Sequence, residues 1–403
     1  MKPEPGTRGP DRRYVAALTG LRGVAAAMVF LFHYAYFHPG IRLDLLAPVI
    51  GPILHTPFGF GFAGVDIFFV LSGFLLTLPF ARHALGGGPR PDLPRYFRRR
   101  LLRVFPAYYA QLLILLAVGA WFLSWKPLSA GELVAHLSMF FNIGASAIGL
   151  QPVRPMVGVW WTLPVELGFY LLLPFLAPLL RPRLWLPALL AGLTFSVLYR
   201  HWAAIEYAAL GQDAVFLAAS QLPGSLAEFL LGATAALLAQ RAALADGRQP
   251  PPWLLDAGFV IGLALPGVWL WQVVLPAGAD YWMGHWSMLL GPIALGLPLS
   301  VAVFCLYRGS RLGGLLLANR AVYYLGLVSY SLYLWHFVVM QQLIQMIGPA
   351  YAELPHWITF PLSATAAMVV ASASYYVVER PFYRLKPWRQ VLRSRREGSE
   401  QGE

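Results

Sequence analysis

Cysteine is nearly absent. One residue, Cys305, stands alone in 403, so no internal disulfide framework and no cysteine-based metal site can form. Charge is scarce too: Asp, Glu, Lys and Arg make up 12% of the chain, about half the roughly 25% of a soluble domain. That excludes an ordinary soluble enzyme. Acidic residues are the scarcest charged group, 18 against 30 Lys plus Arg, for a net charge of +12. The basic excess comes with no RNA-binding or zinc-finger pattern and lies between apolar segments, so no nucleic-acid partner is expected.

What the chain has is apolar length. Apolar residues make up 58% of it, against about 45 to 50% in soluble domains. Stretches of about twenty such residues, enough to cross a bilayer core, occupy 14–37, 60–80, 104–123, 133–150, 160–180, 184–202, 215–239, 253–275, 284–306, 322–347 and 357–378. The stretch 133–150 holds His136, Asn142 and Ser146 and reads as re-entrant or interfacial, which leaves ten spans. The expected fold is all-α, a polytopic transmembrane helical bundle with both termini cytoplasmic. Residues 1–13 and 386–403 are expected as cytoplasmic tails around one transmembrane unit, 14–385.

Basic residues support this topology, because short cytoplasmic loops are rich in Lys and Arg. Twenty-five of the 30 lie at the two ends and in alternate loops (Arg82 to Arg103, Arg181 and Arg183, Arg241 and Arg248, Arg308 to Arg320). Four are read as belonging to the opposite loops, Arg42, Lys126, Arg154 and Arg200, and only Arg22 is left, inside the first span. Trp121, Trp125, Trp160, Trp161, Trp202, Trp282 and Trp357 fall near the outer interface, where indole rings settle. The N-terminal apolar run is too long for a signal peptide and reads as a retained first helix. No internal repeat is visible, which weakens a transporter built on inverted halves.

Ionisable groups inside a membrane are costly and mark functional sites. Arg22 and His33 are eleven residues apart, about 20° from a whole number of helical turns and about 16 Å in rise. They share one face at two depths. Asp66 and Glu166, on two inbound spans, are expected at similar depth, converging with His33 in the outer third. A carboxylate beside an imidazole fixes its tautomer and raises its basicity, as a base acting on a hydroxyl requires. A structural ion pair of either carboxylate with Arg22 is the alternative. Pro164, just before Glu166, is expected to open the helix there. On the opposite side, Arg95, Arg99 and Arg103 share a helical face suited to phosphate, or to anchoring on anionic lipid. His336 and Glu228, deep within spans, either line the cavity or are packed polar groups.

No His-x4-Asp, His-Glu-x2-His, Gly-x-Ser-x-Gly or Walker A sequence is present, and no Gly-x-Gly-x2-Gly turn stands between strand and helix. No metal is expected. Six blocks do stand in order: Leu18-Thr19-Gly20-Leu21-Arg22-Gly23 running to Phe32-His33, Gly64-Val65-Asp66-Ile67-Phe68-Phe69-Val70-Leu71-Ser72-Gly73, and Arg98-Arg99-Arg100-Leu101-Leu102-Arg103-Val104-Phe105-Pro106. Trp161-Thr162-Leu163-Pro164-Val165-Glu166 with Phe169-Tyr170, Tyr333-Leu334-Trp335-His336 and Val378-Glu379-Arg380-Pro381-Phe382 follow. Together, from about Tyr14 to Leu385, they resemble the bacterial membrane acyltransferase-3 family of O-acyltransferases. Many relatives carry polar residues after the Glu166 position, where this chain has Leu167 and Gly168.

The resemblance implies transfer of an acyl group, often acetyl, from cytoplasmic acyl-coenzyme A to a hydroxyl of a carbohydrate or glycolipid acceptor, within the lipids of a bacterial inner membrane. His33 is then the base, with Asp66 and Glu166 beside it in catalysis. Arg22, Arg95, Arg98, Arg99 and Arg103 are the expected coenzyme-binding set, and Ser72, Trp161, Tyr333 and His336 the candidate cavity lining. The competing class is a proton-coupled exporter of a sugar-linked or lipid-linked molecule. It uses the buried charges as a relay but gives no reason for the arginine block.

Overall fold

The structure, a computed structural model, describes residues 12–38, 59–122, 128–139, 156–245 and 250–384. These residues are helical, with no strand among them. The long helices are α1 (Arg12–Phe37), α2 (Gly64–Ala84) and α3 (Leu93–Phe122), a short α4 (Ala130–Ser138), then α5 (Thr162–Leu176) and α6 (Trp185–Glu206). There follow α7 (Gln212–Ala219), α8 (Leu222–Leu244), α9 (Pro252–Trp269), α10 (Trp286–Arg308), α11 (Arg311–Leu317), α12 (Arg320–Leu327), α13 (Ser329–Ile347) and α14 (His356–Ser374). Among the described residues nine helices are long and apolar enough to cross a bilayer, and a tenth span arises if α12 and α13, bent by 72°, are counted as one. The expected helical bundle of about ten spans is what the chain forms.

Burial sorts the spans into two shells. Those built on α8, α2, α10 and α1 have 72, 61, 61 and 50% of their most apolar stretch buried, whereas the others have 17 to 33% and turn side chains such as Leu113, Phe175 and Val377 outward. Small residues draw the inner shell together, since packing rather than hydrophobic exclusion holds helices in lipid. A Cβ on Gly73 would lie 2.2 Å from the Phe229 carbonyl oxygen, and one on Gly232 would lie 2.1 Å from that of Val70. Backbones of α2 and α8 therefore touch. One turn before Val70 and Gly232 stand Asp66 and Glu228, and the same approach sets these two side chains in hydrogen-bond contact.

Three expected boundaries differ. The stretch 215–239 is two helices: α7 ends at Ala219, Gln221 is extended, and α8 starts with Pro223 in its first turn, where proline removes no intrahelical bond. The stretch 322–347 breaks at Val328, where the Ser329 hydroxyl donates to the Gly326 carbonyl at 2.9 Å. In the stretch 133–150, α4 spans nine residues, roughly 13 Å of rise, too short to cross. It opens on a Ser129–Glu132 capping box and closes on Met139 in the left-handed conformation, while residues 140–150 lie outside the described residues. So do most of both expected tails, 1–11 and 385–403, as well as Arg42, Trp125, Lys126 and Arg154.

Trp160 is not an interfacial anchor. It is fully buried, and its indole N–H donates to Gln111 Oε1 at 2.9 Å while the Gln111 amide donates to the Leu334 carbonyl at 2.7 Å. This chain of bonds ties α13 to α3 and sets the register of Tyr333 and His336.

Candidate active site

α1 carries Arg22 and His33 to two different cavities. His33 lines the larger, an outer chamber of about 690 Å³, and Arg22 lines a smaller inner one of about 60 Å³. Val65, Phe69 and Tyr333 line both and form the wall between them. The Tyr333 hydroxyl donates to the Val159 carbonyl at 2.8 Å and accepts from Thr162 Oγ1 at 2.9 Å, so the wall is pinned to the start of α5 and the turn before it.

The protonation pattern of His33 follows from its partners. His33 Nδ1 lies 2.9 Å from the Val29 carbonyl, and His336 Nδ1 lies 2.9 Å from the Leu332 carbonyl. A carbonyl only accepts, so each Nδ1 carries the proton, an assignment made from the hydrogen-bond network. His336 Nε2 is then a bare acceptor, 3.2 Å from His33 Nδ1, and shares that proton. The remaining nitrogen of His33, Nε2, is unprotonated. Phe32 and Phe337 meet the ring edge to face, each at 5.3 Å between centroids, which fixes its plane.

Of Asp66 and Glu166, both expected beside His33, the first shares its chamber and the second does not. Asp66 lines the outer chamber but is hydrogen-bonded to Glu228, with the Arg200 guanidinium nearby. Arg200, read from sequence as a loop charge, sits within α6 at 7% exposure, donating from Nε to the Met288 carbonyl at 3.0 Å and from Nη1 to that of Ala219 at 3.2 Å. Glu166 lines the inner chamber instead, accepting from Ser72 Oγ at 3.0 Å and from the Tyr170 hydroxyl. Ser72 lies six residues along α2 from Asp66, about 9 Å deeper, so the two carboxylates stand at different depths. Pro164 does not open the helix, because it is the third residue of α5, where no intrahelical bond is lost.

The arginine face is rotated by one residue from expectation. Arg100 and Arg103, half-buried, line the inner chamber with Arg22, while Arg95, Arg98 and Arg99 are exposed. Tyr96, Arg100, Val104 and Ala107 follow the 3.6-residue period of the packed face, a signal that would have selected Arg100. The Arg100 Nε is buried without a hydrogen-bond partner. Of the four candidate lining residues, Ser72 borders the inner chamber, Trp161 the outer and Tyr333 both. His336 is fully buried behind His33 and does not line a chamber. Glu228, weighed from the sequence as cavity lining or packed polar group, lines the outer chamber; Tyr170 and Arg200 join the site beyond the expected set, and Tyr170 could have been found one turn after Glu166.

This arrangement defines a polytopic helical membrane protein with a bare imidazole nitrogen on one side of a thin wall and arginines on the other. The acyltransferase-3 family model, described as an acyltransferase domain, matches residues 15–377, and the chain belongs to that family. It is 25% identical over 401 residues to the acyltransferase MdmB of Streptomyces mycarofaciens, covering 92% of each chain. It is similar at 25% over 407 residues to a Bacillus subtilis protein provisionally named peptidoglycan O-acetyltransferase YrhL, and at 24% over 388 residues to the O-acetyltransferase OatA of Staphylococcus aureus. Both matches take in 92% of this chain, which spans 55% of the first relative's length and 57% of the second's. No solved structure matches the chain.

Proposed function

We propose that the protein is an integral membrane O-acyltransferase that moves an acyl group, acetyl foremost, from acyl-coenzyme A to a hydroxyl of a carbohydrate or glycosylated acceptor. It does so in a bacterial inner membrane with both termini cytoplasmic, so that the donor arrives on the arginine side and the acceptor on the other. The two chambers that share the Tyr333 wall carry this reading. At about 60 Å³ the inner chamber has no room for a nucleotide. The coenzyme's phosphates therefore rest at the membrane face against Arg95, Arg98 and Arg99, and Arg100, Arg103 and Arg22 lead the thioester arm inward.

In the reaction the acceptor hydroxyl oxygen attacks the thioester carbonyl, and His33 Nε2 takes its proton. A C–O bond forms and the C–S bond breaks. The leaving thiolate takes that proton from the imidazolium, giving free coenzyme A and an ester. His336 holds His33 in the tautomer that leaves Nε2 bare. Glu166, anchored by Ser72 and Tyr170, orders the arginines of the inner chamber. Relatives named as O-acetyltransferases favour acetyl as the group moved and a cell-surface glycan as its destination.

The experiment is release of free coenzyme A from acetyl-coenzyme A by purified protein in nanodiscs with pooled cell-envelope glycans. Release should require acceptor and fall at least about a hundredfold in His33→Ala, within the range of general base catalysis. Full activity in His33→Ala at normal abundance contradicts the assignment.

A further inference from the structure

The floor of the outer chamber holds a polar cluster that this reaction does not use. Glu228 is 3% exposed, lines the chamber, and has one carboxylate oxygen, Oε2, with no hydrogen-bond partner. A buried acceptor atom without a partner is costly and marks a place where a donor is expected to sit. Its neighbour Asp66 is bonded to it. Arg200 supplies one positive charge, and its Nε and Nη1 are taken by the carbonyls of Met288 and Ala219. The one cation of the cluster is thus already engaged. Among the described residues the only other Asp, Glu, Lys or Arg lining the chamber is Asp213, which leaves no spare cation for an anionic ligand.

The chamber lining also holds an unbroken row of rings. Phe62 meets Trp282 at 5.3 Å between centroids, Trp282 meets Phe216 at 5.3 Å, and Phe216 meets Trp161 at 5.1 Å. All four line the chamber. Their electron-rich faces suit the C–H face of a sugar ring, and a few convergent polar groups in an otherwise apolar chamber give orientation.

We propose that Glu228, with Asp66 and Arg200, forms an acceptor subsite in which a hydroxyl of an uncharged glycosyl unit donates to Glu228 while a second hydroxyl of the same acceptor is presented to His33. This rests on the acyltransferase reading above and adds which residues select the acceptor and which charge they admit. Asp66 then acts on the acceptor rather than on the histidine.

The test uses wild-type protein in nanodiscs with acetyl-coenzyme A and cell-envelope glycans divided by anion exchange into neutral and acidic fractions. Ester formation is read by mass spectrometry and donor binding by titration with coenzyme A. Neutral glycans should be acetylated at least tenfold faster than acidic ones. Glu228→Ala should raise the acceptor KM at least tenfold with the coenzyme A Kd within twofold of wild type. Glu228→Gln, whose carbonyl still accepts and whose amide donates to Asp66, should recover most of the loss. Acidic glycans acetylated as fast as neutral ones overturn the subsite, and so does Glu228→Ala with an unchanged acceptor KM. The fraction comparison needs no variant, so it decides the matter even if Glu228→Ala does not fold. If wild-type protein acetylates neither fraction, the acyltransferase reading falls and the subsite with it; acetylation that ignores charge and Glu228 removes the subsite alone.

Discussion

His33 and His336 are joined by one hydrogen bond, Nδ1 to Nε2 at 3.2 Å, and the other bonds of their Nδ1 atoms run to backbone carbonyls one turn back. The orienting partner of the candidate base is thus a second imidazole from α13. Removing it should free the His33 ring without touching either substrate. His336→Ala is expected to lower kcat between about tenfold and a hundredfold, the range for a displaced catalytic group, with both KM values nearly unchanged. His336→Gln, which can still accept from His33 Nδ1, should recover part of it. Initial-rate kinetics against each substrate separate this from a structural role, which would also reduce folded protein.

The rotated arginine face gives a contrast on one helix. Arg100→Ala or Arg103→Ala should raise the KM for acetyl-coenzyme A by about tenfold or more, since a charged hydrogen bond is worth about 1.5–3 kcal/mol. Arg95→Ala, at an exposed position, should change it by less than about threefold, as exposed pairs are worth about 0–1 kcal/mol. Equal effects at Arg95 and Arg100 would contradict the inner-chamber assignment.

Tyr333 is pinned to Val159 and Thr162 and divides the chambers. Tyr333→Ala should join them and admit water to the thioester. The expected outcome is several-fold faster coenzyme A release without acceptor and slower ester formation with it, both measurable in one assay. Unchanged acceptor-independent release would show that the wall lies elsewhere.

Backbone contact between α2 and α8 leaves no room at Gly232. Gly232→Leu should cost roughly 1–3 kcal/mol as overpacking, lower the melting temperature in detergent, and weaken acceptor use by separating Asp66 from Glu228. Gly267, where a Cβ meets nothing within 4 Å, is the control position for the same substitution.

The positions of Arg22 and His33 were legible because a single helix fixes their separation and face, whatever surrounds it. The bundle itself was legible for a similar reason, since span length is set by the bilayer. The partner of Asp66 was not, because it depends on which helix lies against α2 and how closely, and that is decided by Gly73 and Gly232 together. Glu166 was misplaced for a related reason. Its distance from the end of its own helix says nothing of its level against α2, where it meets Ser72. Arg200 was hidden by charge counting, which treats an arginine near a span end as a loop charge, while the structure turns it inward toward backbone carbonyls.

The most direct measurement is transfer across a sealed membrane. Proteoliposomes holding neutral cell-envelope glycans inside receive radiolabelled acetyl-coenzyme A outside, and ester on the trapped glycan is counted. The expected result is label on the luminal glycan for molecules inserted with the arginine face outward, lost in His33→Ala. Label that never crosses the membrane, or that accumulates equally in His33→Ala, would contradict a donor chamber and an acceptor chamber meeting at the Tyr333 wall with His33 as base.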